Sequence, residues 1–481
     1  MQRLPRRPAA RVILLFLVTL LFCAPLVAAE VHTHPGVSPV DESPYIDYLY
    51  RVHEGRILLP HGQLMGDAAM REITCRGIQN GWAGLWPVGA GCMRPPFDYT
   101  RVPDIGFNSA DIYPPTYFIL TDLGARVLMG VGVTDNLVDA ARMVGAVWMA
   151  WALVVLYLLA RELGARRWSA VLAMAVAGAN PLLLHYWFHV TPDAGSVLLG
   201  GLVLLAAVRW DRGRIGLHWL VLASLAAVSV KSVNVLAVLL VGAYFVVRLT
   251  VRVVNERRSR PVTFEAPSAQ PDPTAPSELV EAESGQREES SPPTTPPAVG
   301  AAATGVRHEV VGLVASLGTA LVAMVGWLLL RAAISPPGVV TRYDIRNATH
   351  AWFRFTWVKN NLFAFLKWQD LGQPRVPLLF VVASAALVVG AVVVVLTRPW
   401  RSRVWAVAVA TLVATFAGPL TIVMITVVTQ RAYVASVQRY GLSIVAASLA
   451  LTAVACRPRW AQALLGVLAL ALLAVSLAWL R

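Results

Sequence analysis

Long apolar runs separated by short polar turns organise most of the chain. Residues 11–29, RVILLFLVTLLFCAPLVAA, follow Arg3, Arg6, Arg7 and Arg11. Val27 and Ala29 would suit a signal-peptide cleavage site, but the later apolar runs already commit the chain to a membrane and favour a retained first helix. Further runs cover 138–160, 169–186, 194–209, 215–230, 233–249, 309–333, 376–397, 403–424, 440–456 and 460–480. Several fall short of the ~20 residues that a spanning helix uses. The pattern predicts an all-α polytopic membrane protein of about eleven transmembrane helices.

Two stretches depart from the series. Residues 113–133, YPPTYFILTDLGARVLMGVGV, are apolar enough to span, yet Asp122 and Arg126 lie near the middle. Charges there are costly at the bilayer centre, so the segment reads as an interfacial amphipathic helix started by Pro114–Pro115. Residues 250–308 are rich in Pro, Ser, Thr and Glu and nearly free of aromatics. Such a composition cannot offset ordering entropy by burial and predicts a disordered linker. The expected organisation is a first helix (1–29), a long polar loop (30–137), helices 2–6 (138–249), the linker (250–308), helix 7 (309–333), a second loop (334–375) and helices 8–11 (376–481).

Composition agrees with a membrane class. Charged residues are 14% and hydrophobic residues 57% of 481, mean hydropathy is +0.61, and soluble domains carry about 25% charged residues. Of 41 basic residues only Lys231, Lys359 and Lys367 are lysine, a bias that suggests a GC-rich coding sequence of actinobacterial type. The net charge of +14 does not form the basic stripe of a nucleic-acid binder. The arginines instead cluster between apolar runs, at 161–167, 209–214, 248–260, 398–403 and 457–459. By the positive-inside rule these turns and the N-terminus face the cytoplasm of a multi-pass plasma-membrane protein. Loops 30–137 and 334–375, and the turns at 185–195, Lys231 and 430–441, then share the outer face. Cys75 and Cys92 fall in the first of these, where a disulfide persists and closing such a loop is worth about 3 kcal/mol.

Chemistry gathers on that face. Asp41 and Glu42 precede an expected helix capped by Ser43 and started at Pro44; its apolar stripe is Tyr45, Tyr48, Leu49 and Val52, and Asp47 faces Arg51 at i, i+4. A carboxylate there can serve as a general base towards a hydroxyl or simply favour the helix N-terminus. Thr191–Pro192–Asp193 reads as a turn before a helix. His185 and His189 have metal-ligand spacing, although Trp187 and Phe188 beside them suit an interfacial aromatic belt. Lys231, alone in an apolar stretch, is either a snorkelling residue or a phosphate ligand. Arg431, Arg439 and Tyr440 break the inside bias, and arginine suits a lipid phosphate. In 334–375, Arg342, Arg346, Arg354, Lys359 and Lys367 interleave with aromatics, a pattern for a membrane-hugging helix.

Asp41–Glu42 after the first helix, Tyr113–Pro114–Pro115 with Tyr117–Phe118, Thr191–Pro192–Asp193, Lys231 and Arg439–Tyr440 occur in an order and on a side that resemble the GT-C superfamily of membrane glycosyltransferases. Most similar is the bacterial branch known only as predicted membrane proteins. Gln438 stands where the family has a glycine, and Tyr45 near a frequent histidine. The resemblance implies an inverting enzyme that transfers sugar from a polyprenyl-phosphate donor to a cell-envelope glycan or lipid hydroxyl outside the cytoplasm. Asp41 would be the base and Glu42 its partner, with Tyr113, Asp193, Lys231, Arg439 and Tyr440 binding substrate. No cofactor is firmly implied; a divalent cation is the one left open. The other readings are a lipid-linked glycan transporter, which would place ionisable groups at the bilayer midplane, and a non-catalytic scaffold of envelope assembly.

Overall fold

A computed structural model describes residues 8–79, 84–259, 299–341, 344, 347–349, 351–366 and 377–479. The described residues are overwhelmingly helical. The apolar runs form α1 (Pro8–Thr33), α5 (Leu137–Glu162), α6 (Arg167–Gly178), α7 (Pro181–Phe188), α8 (Ser196–Asp211), α9 (Leu217–Val230), α10 (Val235–Ser259), α11 (Val299–Ile334), α13 (Pro377–Thr397), α14 (Arg403–Gln430), α15 (Leu442–Ala455) and α16 (Arg459–Trp479). Between them lie α2 (Glu42–His53), α3 (Asp67–Arg76), α4 (Thr116–Gly130) and α12 (Phe355–Asn361). Seven helices among the described residues are long and apolar enough to cross a membrane, or eight if α6 and α7, bent by 63°, count as one. Each of the eleven expected runs is helical, but α6, α7, α9 and α15 hold only 12, 8, 14 and 14 residues.

α5 is the hub, packed against α1, α4, α6, α8 and α15. Small residues let backbones approach where helices cross. A Cβ on Gly145 of α5 would overlap the main-chain carbonyl of Trp187 in α7, and one on Gly200 of α8 would overlap the carbonyl of Ser443 in α15.

The two ends of the bundle differ in chemistry. At the arginine-rich end, buried acids clip helices together. Glu162 accepts from Arg209, Arg212 and Arg214; Asp211 takes Arg403 and, at 2.8 Å, the Tyr244 hydroxyl; Glu309 takes Arg252 at 2.7 Å. At the opposite, loop end, α2, α3 and α4 pack into a cap. Asp47 accepts from Arg51 Nε (2.8 Å), Gly66 N (2.7 Å) and Asn108 Nδ2 (2.6 Å). Cys75 and Cys92 are disulfide-bonded, as the loop spacing suggested.

Several boundaries differ from expectation. α1 continues to Thr33, past the expected end at residue 29. α10 runs to Ser259 and α11 starts at Val299, so both ends of the expected 250–308 linker are helix; residues 260–298 lie outside the described residues. α2 begins at Glu42 with Asp41 as its N-cap residue, two residues before the expected Ser43 cap. Asp41 adopts a left-handed turn and Glu42 is already drawn into the interior, which starts the helix early. α4 is 15 residues long and does not span by length. Its mid-helix charges are matched by the cap: Asp122 takes His53 at 2.6 Å and Arg126 at 2.7 Å. In the second loop, Trp352, Phe353 and Phe355 are exposed and Trp357 is buried, while Arg342, Arg346 and Lys367 lie outside the described residues.

Candidate functional site

Asp41 closes the turn between α1 and α2 with φ +58°, in the left-handed region, where Asp is one of the few non-glycine residues found with any frequency. The turn directs its carboxylate away from the helix it caps; no side-chain cap bond forms. Instead the carboxylate, 43% exposed, is ion-paired with Nη2 of Arg439, from the short turn preceding α15. Arg439 is mostly buried, yet its Nε has no acceptor. Burial opposes the guanidinium charge most strongly, but Asp41 together with Tyr440, Tyr45 and Asp193 outweighs it and pushes the Arg439 pKa up. The Tyr45 hydroxyl, one turn into α2, is a second buried donor with no acceptor. Buried polar groups are nearly always paired, so two idle donors beside one carboxylate mark a place suited to an anionic oxygen.

Behind this pair lies a second one. Thr191 accepts from Asp193 N (3.3 Å) through its hydroxyl, which also donates to Asp193 Oδ2 (3.1 Å), folding Thr-Pro-Asp into a single turn before α8. Asp193 ion-pairs with Lys231, which ends α9, and both side chains are essentially inaccessible. Lys231 Nζ sits 5.4 Å from the Tyr113 ring centroid and 5.6 Å from that of Tyr440. A buried ammonium is worth more against an aromatic face than an exposed one. Burial lowers the Lys231 pKa against the opposing pull of Asp193.

Glu42 points the other way from Asp41. Its side chain is 1% exposed, and Arg142 of α5, 0% exposed, grips it through Nε (2.9 Å) and Nη2 (2.8 Å). The carboxylate also accepts from Ser38 N (2.7 Å) and Val190 N (2.9 Å). Arg142 spends its remaining donors on the carbonyls of His34 and Gly36. One buried ion pair thereby ties the Asp41 turn to α5 and to the Thr-Pro-Asp turn.

Tyr113 and Tyr440 separate this centre from a cleft. Their other sides border an apolar cavity of about 100 Å³ walled by Trp327, Leu328, Ile422 and Ile425. That cavity shares Ile112, Leu328, Arg331 and Thr429 with a polar one of about 390 Å³. In the polar cavity His61 is held between two carboxylates, Asp111 at 2.9 Å and Asp344 at 3.2 Å, and Arg331 Nε reaches Asp111 at 2.8 Å. The hydrogen bond to Asp111 raises the His61 pKa above its ordinary 6.5, outweighing burial.

The fold therefore brings Asp41, Tyr113, Asp193, Lys231, Arg439 and Tyr440 to one end of the bundle from five separate turns. Glu42 is adjacent in sequence but serves the interior. His185 and His189 lie with ring centroids 4.3 Å apart and planes tilted by 47°, and His189 Nδ1 lies 2.9 Å from the His185 carbonyl; among the described residues no three His, Cys, Asp or Glu converge as metal ligands. The reading from sequence passed over Arg142, His61, Asp111 and Arg331. Arg142 was visible as a charge inside an apolar run, which demands a partner; His61, Asp111 and Arg331 carry no local signal. Comparison with protein-family models, curated proteins and solved structures finds no match to this chain.

Proposed function

We propose that the chain is a membrane glycosyltransferase moving a sugar from a polyprenyl-phosphate donor to a hydroxyl acceptor at the loop end of the bundle, outside the cytoplasm. The observation that carries this reading is the half-exposed Asp41 carboxylate, shared by an Arg439 with a donor to spare. Asp41 takes the acceptor proton as the acceptor oxygen bonds to the anomeric carbon. The bond from that carbon to the phosphate oxygen breaks with inversion, and its electron pair leaves on the lipid phosphate. Arg439 Nε and the Tyr45 hydroxyl stabilise the departing charge as donors already in place. One guanidinium thus bridges base and leaving group.

Lys231 and Asp193 are positioning residues here: they neutralise each other behind Tyr113 and Tyr440 and fix the two rings. The apolar cavity beyond those rings suits the first isoprenoid units, and the polar cavity around His61 suits a hydroxyl-rich group. Glu42 holds the Asp41 turn through Arg142.

The test uses membranes from cells lacking the chain, complemented with wild type or Asp41→Asn and charged with radiolabelled polyprenyl-phosphate sugars. A general base contributes about 10²–10⁴-fold, so the variant should express normally and lose transfer by about that factor. Equal label in the product from both would sink Asp41 as the base, and equal label with no chain present would leave the scaffold role.

A further inference from the structure

A third cavity opens at the arginine-rich end of the molecule. α13 and α16 both lean on neighbours but scarcely touch each other, leaving a groove of about 860 Å³ floored by α15. Its walls are aliphatic, with Val389 and Val393 on α13 facing Leu464 and Leu468 on α16. Gly390 allows the close approach of α13 to Thr452 that forms the floor. At the arginine-rich mouth stand Arg398, just past α13, and Arg457, in the turn between α15 and α16, with Trp460 on the rim. Glu162, Asp211 and Glu309 at this end are already matched to arginines, and neither Arg398 nor Arg457 forms an ion pair among the described residues. They are near enough that Arg457, after burial, helps to lower the Arg398 pKa. Two like charges at the mouth of one aliphatic slot offer a matched site for an anion.

We propose that this groove binds one anionic phospholipid, its acyl chains along the α13 and α16 walls and its phosphate between Arg398 and Arg457. Basic pockets between helices recognise anionic headgroups in this way, and the forked guanidinium suits a phosphate oxygen pair. A free phosphate would satisfy the arginines but leave the aliphatic walls bare. A zwitterionic lipid would bring its own cation against the same two arginines. The site is independent of the Asp41 centre.

The test is native mass spectrometry of the full chain released from detergent with equal phosphatidylglycerol and phosphatidylcholine. One phosphatidylglycerol should be retained about tenfold over phosphatidylcholine, in keeping with two surface arginines. The double variant Arg398→Gln, Arg457→Gln should bring the ratio near one, while Arg398→Lys, Arg457→Lys keeps most of it. Arg167→Gln, an exposed charge at the same end, should leave it unchanged. Equal retention of the two lipids, an equal loss with Arg167→Gln, displacement by inorganic phosphate, or a dimer blocked by these substitutions would each overturn the proposal.

Discussion

At the scale of single residues, Asp41 and Glu42 show how neighbours in sequence part company. A left-handed turn sends one carboxylate to the surface and the other into the core. Arg439→Ala leaves Asp41 without its cation and removes a donor to the leaving group. In the proposed reaction it should lower kcat by about 10²-fold, the usual loss for one such donor, with smaller change in KM; steady-state kinetics in the same membranes checks it. Glu42→Gln should act differently. Removing one partner of a buried ion pair costs about 3–5 kcal/mol, so this variant should be destabilised, with thermal unfolding in detergent as the readout. Loss of activity at full stability would return Glu42 to a direct role. From sequence both carboxylates were expected at the reacting centre, because Arg142, which draws Glu42 inward, lies 100 positions away.

At the scale of elements, His61 joins pieces that no sequence window contains. It reaches Asp111 and Asp344, and its main-chain N–H donates to Ser335 Oγ at 3.0 Å, so the first loop is fastened to the top of α11 and to the second loop. Its folded pKa is raised, so protonation favours the folded state. The stabilisation is whole below the ordinary pKa of about 6.5 and fades as pH climbs through the raised value. Thermal stability should therefore decline above neutrality, and His61→Gln should flatten that decline while lowering stability at pH 6. The helices themselves were readable from apolar runs, and α4 begins at Thr116, directly after Pro114–Pro115 rather than with them in its first turn. Helix ends were not, because they follow tertiary contacts: α2 starts at Glu42 because Arg142 draws it in.

At the scale of the whole molecule, the apolar pattern and the arginine clusters foretold a polytopic helical chain, and the loop cysteines foretold their bond. Closing this loop contributes about 3 kcal/mol, so Cys75→Ser, Cys92→Ser should unfold at a lower temperature with the cap most affected; proteolysis near α3 would report it. What could not be read is the assembly of one site from distant turns. Asp41 and Arg439 are 398 positions apart, a separation that periodicity does not encode.

The bare-backbone crossing of α8 and α15 at Gly200 and Ser443 carries a consequence for how the gene product can be divided. The helices that meet there come from opposite sides of residues 260–298. Each half thus holds one face of a seam that admits no side chain. Two polypeptides cut within that interval and made together should find each other in the membrane and copurify without any covalent link. A valine at Gly200 should keep them apart, as if one cheek of a mortise had been left uncut.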